Sequence, residues 1–121
     1  MKYQGLIWSG LTVEDLQTSI RFYKDVLGMP LLGGGEDWAL FDSGNGSLLE
    51  LFSGGKASVQ PKTPNQQSII LGLRVENLNR CMAELERKGV RFIGDIGEYR
   101  GTRWAHFSDP EGNQLEIKEV P

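Results

Sequence analysis

Apolar positions along the chain change period twice, in the same way each time. Leu6 to Val13 reads as a strand, and beyond it Leu16, Ile20, Tyr23, Val26 and Leu27 recur at helical spacing. The pattern predicts a helix from about Glu14 to Leu27. Thr12 or Asp15 can cap its start, and Gly28 ends it in a left-handed conformation that glycine adopts cheaply. Ser68 to Val75 reads as a second such strand, followed by Asn77 as an N-cap, an apolar face of Leu78, Met82 and Leu85, and Gly89 as the stop. After each helix, short strand candidates are separated by the turn-forming runs GGGED, SGNGS, SGG, GDIGEYRG and DPEGN. Each half therefore reads β-α-β-β-β.

The two halves also resemble each other in sequence. IWSGLTVEDL (Ile7 to Leu16) aligns with IILGLRVENL (Ile69 to Leu78), VLGMPLLGG (from Val26) with RKGVRFIGD (from Arg87), and LLELF (from Leu48) with QLEIK (from Gln114). The spacing is too long for a solenoid unit but suits one supersecondary module made twice. The expected organisation is a single α+β domain of two tandem βαβββ modules. Module one covers about 1–54 and module two about 68–121. The stretch 55–67, rich in Gly, Ser, Pro and Gln, is expected to be a flexible connector or a lid.

A length of 121 residues suits one domain. A net charge of −3 with scattered basic residues argues against a nucleic-acid partner. No apolar run is long enough to span a membrane, and the start MKYQGLIWSG lacks the apolar core of a secretory leader. Cys81 is the only cysteine, so no internal disulfide can form, and a cytoplasmic location is expected.

The motifs FYKDVLG (Phe22 to Gly28) and DPEGN (Asp109 to Asn113), with VEDL before the first and QLEI after the second, resemble the vicinal-oxygen-chelate superfamily. That group includes glyoxalase I, extradiol dioxygenases, fosfomycin-resistance enzymes and bleomycin-resistance proteins. The resemblance implies two sheets curled into a cup or half-barrel with the helices outside. In metal-dependent members it also implies a divalent ion held by a histidine from the first strand and a glutamate from the last strand of each module. Matched to this chain, the glutamate positions hold Glu50 and Glu116, whereas the histidine positions hold Trp8 and Ile70. Indole offers only an N–H donor and isoleucine nothing, while borderline divalent ions gain much of their affinity from nitrogen ligands. The expectation is no cofactor, with Glu50 and Glu116 as vestiges of a metal site. A divalent metal is the disfavoured alternative.

The only histidine is His106. Pairing Ser108 with Gln114 across the DPEGN turn sets His106 opposite Glu116, and alternation adds Trp104 to the same face. His106 and Glu116 are thus the candidate catalytic pair: a general base, a ligand-orienting dyad or, with Glu50, a three-donor metal set. The plainer reading is a histidine that satisfies a buried acid. Trp8, Trp38, Ile70 and Trp104, joined by Glu50, His106 and Glu116, are the candidate ligand-binding residues, since apolar pockets with a few polar groups are where small molecules bind. Ordinary core is the alternative for the tryptophans. Cys81 reads as a packed thiol, and Gly33-Gly34-Gly35 lacks the lysine and helix start of a phosphate loop.

Two functional classes remain open. One is a metal-free binder of the bleomycin-resistance type, whose homodimer encloses acid-bearing apolar pockets for a small aromatic or cationic ligand. The other is an enzyme with isomerase or lyase chemistry at Glu50, Glu116 and His106, with or without a metal. A ligand-free accessory domain is the third and least favoured.

Overall fold

A computed structural model describes residues 1–121, which divide into two compact units, Met1–Ala57 and Ser58–Pro121. In the first, β1 (Trp8–Val13) leads to α1 (Leu16–Arg21), which runs on into a π-helical turn at Phe22–Val26. The strands β2 (Leu31–Gly34), β3 (Trp38–Gly44) and β4 (Ser47–Ser53) follow. The second unit repeats the plan with β5 (Leu71–Arg74), α2 (Leu78–Arg87), β6 (Phe92–Tyr99), β7 (Thr102–Ser108) and β8 (Gln114–Glu119). The sheet orders, β1-β4-β3-β2 and β5-β8-β7-β6, are the same, and in each the first strand lies parallel to the last. This is the α+β fold of two βαβββ modules expected from the repeat, with both sheets open. No helix is long and apolar enough to cross a membrane.

Alternation decides which face of each sheet meets its helix. In module one Ala39, Phe41, Leu49 and Leu51 are buried with Leu16 and Tyr23, and the Tyr23 and Phe41 rings stand 6.2 Å apart. In module two Ala105, Phe107, Leu115 and Ile117 are buried with Leu78 and Leu85. Truncating one of these, such as Leu51→Ala, should cost about 2–5 kcal/mol through lost burial and the cavity left behind. The other face of each sheet is free of its helix.

Both helices start where the capping residues predict: Asp15 accepts from the Thr18 amide (3.1 Å) and Asn77 from the Arg80 amide (2.9 Å). Glu119 of β8 also accepts the Leu78 amide at 3.0 Å. The first helix is less regular than its periodicity suggests. Its last turn is π-helical, closed by the Leu27 amide donating to the Phe22 carbonyl (2.9 Å), and Gly28 follows at φ 72°.

The strand expected from Ser68 begins only at Leu71, for a definite reason. The Gln67 side-chain amide accepts from the Gln114 amide (2.7 Å) and donates to the Gln114 carbonyl (2.8 Å). A side chain therefore takes the two backbone groups of Gln114 that a longer β5 would have needed.

The stretch read as a connector is fastened from Ser58 onward to the DPEGN turn. Lys62 donates its amide to the Gly112 carbonyl (2.8 Å) and its ammonium to Asn113 Oδ1 (2.6 Å). Gln60 donates to the Pro110 carbonyl (2.6 Å), and the Ser58 amide to that of Glu111 (3.1 Å). Asp109 rigidifies the turn from within, accepting from the Glu111 and Asn113 amides and the Asn113 side chain. The DPEGN motif is thus a structural clamp that fixes the β7–β8 register.

Candidate functional site

On the helix-free face of module one, Glu50 lies at the centre of β4, between Gly10 of β1 and Leu40 of β3. Leu48 and Phe52 flank it along β4, and Trp8 and Trp38 reach the same face by alternation. The Trp8 indole N–H donates to Glu50 Oε1 at 3.0 Å. This bond needs a glycine: a Cβ at position 10 would lie 2.4 Å from the Trp8 ring edge, so only Gly10 lets the indole lie across the strand. Trp8 remains 48% exposed and stands 6.3 Å, centroid to centroid, from Phe52. Trp38 uses the same device over Gly35, where a Cβ would come within 2.6 Å of its Nε1. Glu50 enters no ion pair.

Module two carries a different arrangement on the equivalent face. His106 is paired with Glu116, the register expected from the turn, with Ser108 opposite Gln114. Glu116 Oε1 lies 3.8 Å from His106 Nε2 and 3.7 Å from Lys118 Nζ, near enough for attraction to the Lys118 ammonium but too far for hydrogen bonds. The Lys118 ammonium also sits 5.3 Å from the centre of the Trp104 ring. Trp104 in turn lies over Gly97, where a Cβ would come within 2.2 Å of the indole. Gly72 faces Glu116 from β5 as Gly10 faces Glu50 from β1. Ile70, the counterpart of Trp8, precedes β5 and is 48% exposed.

Within each module the predicted residues come together: Trp8, Trp38 and Glu50 on one face, His106, Glu116 and Trp104 on the other module's face. Sequence reasoning missed Lys118, Phe52 and the glycines under the indoles. Phe52 and Lys118 each lie two residues beyond a glutamate in the same strand, so alternation alone could have placed them. Lys118 changes the electrostatics, because Glu116 already has a cation beside it whereas Glu50 does not. The two faces therefore differ in charge, an unpaired carboxylate in module one and a carboxylate beside an ammonium in module two.

The divalent-ion site implied by the resemblance is poorly matched by these side chains. At one imidazole position an indole N–H points into the carboxylate, so a proton lies where a metal would need a lone pair. No group of three or more His, Cys, Asp or Glu side chains has the geometry to hold a metal ion. A hollow of about 420 Å³ lies elsewhere, over the start of α2, lined by residues including Asn77, Arg80, Cys81 and Glu84. Burial, and secondarily Glu84, push the Cys81 thiol above its usual pKa, which makes it a weak nucleophile.

Two βαβββ modules, each presenting a glutamate from its last strand on a helix-free sheet face, define a class of fold whose members share a scaffold rather than a reaction. The model of the Glyoxalase/Bleomycin resistance protein/Dioxygenase superfamily matches residues 5–117, and the chain belongs to that family. It is 31% identical over 122 residues to the uncharacterized protein YraH of Bacillus subtilis (strain 168), covering 91% of this chain and 94% of YraH. Among solved structures it is similar to the integron cassette protein VCH_CASS1 of V. cholerae, with a TM-score of 0.77, 26% identity and coverage of 100% and 98%. It also shares the fold of TnmS3, described as an antibiotic-binding protein from Streptomyces sp. CB03234, with a TM-score of 0.72, 23% identity and coverage of 100% and 99%.

Proposed function

We propose that the protein binds a small aromatic or cationic molecule without a metal, using the helix-free face of module one. The observation that carries this reading is Glu50. It is a carboxylate among Trp8, Trp38 and Phe52, fixed by an indole hydrogen bond and lacking any cationic partner. A half-buried anion beside aromatic rings favours a positive or donor-bearing ligand through charge and cation–π attraction. That TnmS3 binds an antibiotic fits this use of the fold, although at that identity the likeness is one of fold alone.

A thermal-shift panel of cationic aromatics tests the reading. A ligand at 100-fold over its Kd should stabilise the protein by about 2.7 kcal/mol, and Glu50→Gln should abolish the shift. No hit across the panel, or a stoichiometric transition metal in protein purified without a histidine tag and lost on Glu50→Gln, would overturn it. A cytoplasmic homodimer is part of the proposal, supported by the lone free thiol and the prevalence of two-fold dimers, and light scattering checks the dimer.

The second reading is acid–base catalysis through His106 and Glu116, favoured by their direct pairing in β7 and β8. Lys118 Nζ and His106 Nε2 both lie within 4 Å of the same Glu116 oxygen, so any proton transfer there takes place beside a permanent cation. Isomerase and lyase assays that lose turnover with His106→Gln would establish this alternative.

A further inference from the structure

We infer that Trp8 sets the ligand's chemical class: the Glu50 face selects a protonated amine, a one-point cation, over a fork-shaped amidinium or guanidinium. The inference rests on the binding reading of the same face and adds to it the shape of the charged group.

Planar fork-shaped cations gain their advantage by donating two parallel hydrogen bonds to both oxygens of a carboxylate. At Glu50 the indole N–H takes one oxygen, Oε1, at 3.0 Å, and its ring lies over Gly10, the residue paired with Glu50 in β1. The bulk of Trp8 therefore stands on one side of the carboxylate, and Oε2 receives no protein hydrogen bond. A compact ammonium needs only that oxygen. Phe52, two residues from Glu50 along β4 with its ring centroid 6.3 Å from that of Trp8, adds an aromatic ring on the same sheet face. Oε1 keeps a second lone pair, but a fork reaching for it meets the indole ring beside it, so it must either displace the ring or bind through a single N–H.

Module two offers no rival cation site of this kind. Lys118 and His106 lie within 4 Å of Glu116, and Lys118 already occupies the neighbourhood of the Trp104 ring. A second cation there meets a resident one. Glu50 is thus the carboxylate that remains to be neutralised by a ligand.

The matched probes are benzylammonium and benzamidinium, titrated by NMR while following the amides of β1 and β4. The wild-type protein is expected to bind benzylammonium roughly tenfold more tightly, because a fork held by one N–H leaves its other N–H unpaired against the indole, at a cost of about one hydrogen bond. Trp8→Phe keeps an aromatic ring but frees Oε1, and is expected to erase or reverse that ratio; Glu50→Gln should weaken both probes. Equal affinities in the wild type, or a ratio unchanged by Trp8→Phe, would overturn the inference while leaving cation binding intact. If neither probe perturbs β1 and β4 of the wild type, both the inference and the binding reading fall.

Discussion

Gly10→Ala probes the site through a residue that has no side chain of its own. The new methyl would lie 2.4, 2.9 and 3.2 Å from Trp8 Cη2, Cζ2 and Cζ3, whereas carbon contacts settle at about 3.5–4.0 Å, so the ring edge must retreat by about 1 Å. The backbone at Gly10 is not in the left-handed region, so alanine itself is tolerated there. Because the indole is half exposed, it escapes by swinging toward solvent and stretching its 3.0 Å bond to Glu50 past hydrogen-bonding range. Losing a hydrogen bond to a charged but solvated acceptor costs about 1 kcal/mol, and re-exposing roughly 40 Å² of ring adds about 1 kcal/mol. Alanine's smaller unfolded-state entropy offsets about 0.4–1 kcal/mol. The net expectation is a loss of about 1–1.5 kcal/mol, or roughly 3–6 °C in Tm for a chain of this size. Urea denaturation gives the free energy, and the Trp8 indole N–H resonance reports the bond. The decisive comparison repeats the substitution in a Trp8→Ala background, where Gly10→Ala should become neutral or stabilising. The same cost in both backgrounds, or an unmoved indole resonance, would refute the account.

Other expectations follow from single residues. Gly112 has φ 88°, and a Cβ there would lie 2.9 Å from the Ser58 and Val59 carbonyls, so Gly112→Ala should cost about 2 kcal/mol or more and speed hydrogen exchange at Ser58 and Lys62. The Asp15 carboxyl is held below its usual pKa, chiefly by the Thr18 hydroxyl and then by the Thr18 amide. A depressed folded-state pKa gives stability that is present above the ordinary value of 3.8 and lost as pH falls through the lower one. Asp15→Ala should therefore lower Tm at neutral pH, with the difference from wild type shrinking below about pH 3.8 in thermal melts. Cys81 should alkylate more slowly than glutathione at pH 8, and Glu84→Gln should accelerate it only slightly, because burial is the larger cause of the raised pKa.

Local chemistry determined a good deal of this protein. Asp15 and Asn77 cap helices because their side chains reach an amide three residues on, whatever surrounds them. The DPEGN turn and strand alternation likewise fixed His106 opposite Glu116, since a ladder closed at Ser108 and Gln114 leaves no other register. What sequence did not reveal are contacts made by long side chains over other residues. The indole of Trp8 crosses Gly10 to Glu50, 42 positions away, and Lys118 stands between Trp104 and the acid it neutralises. Gln67 ends a strand by filling a backbone pairing with its own amide, and residues from Ser58 onward bind a turn some fifty positions later. Spacing along a chain tells which face a residue occupies. How a flexible or aromatic side chain lies across that face depends on the space its neighbours leave, and at Gly10 and Gly97 that space is the absence of a single carbon.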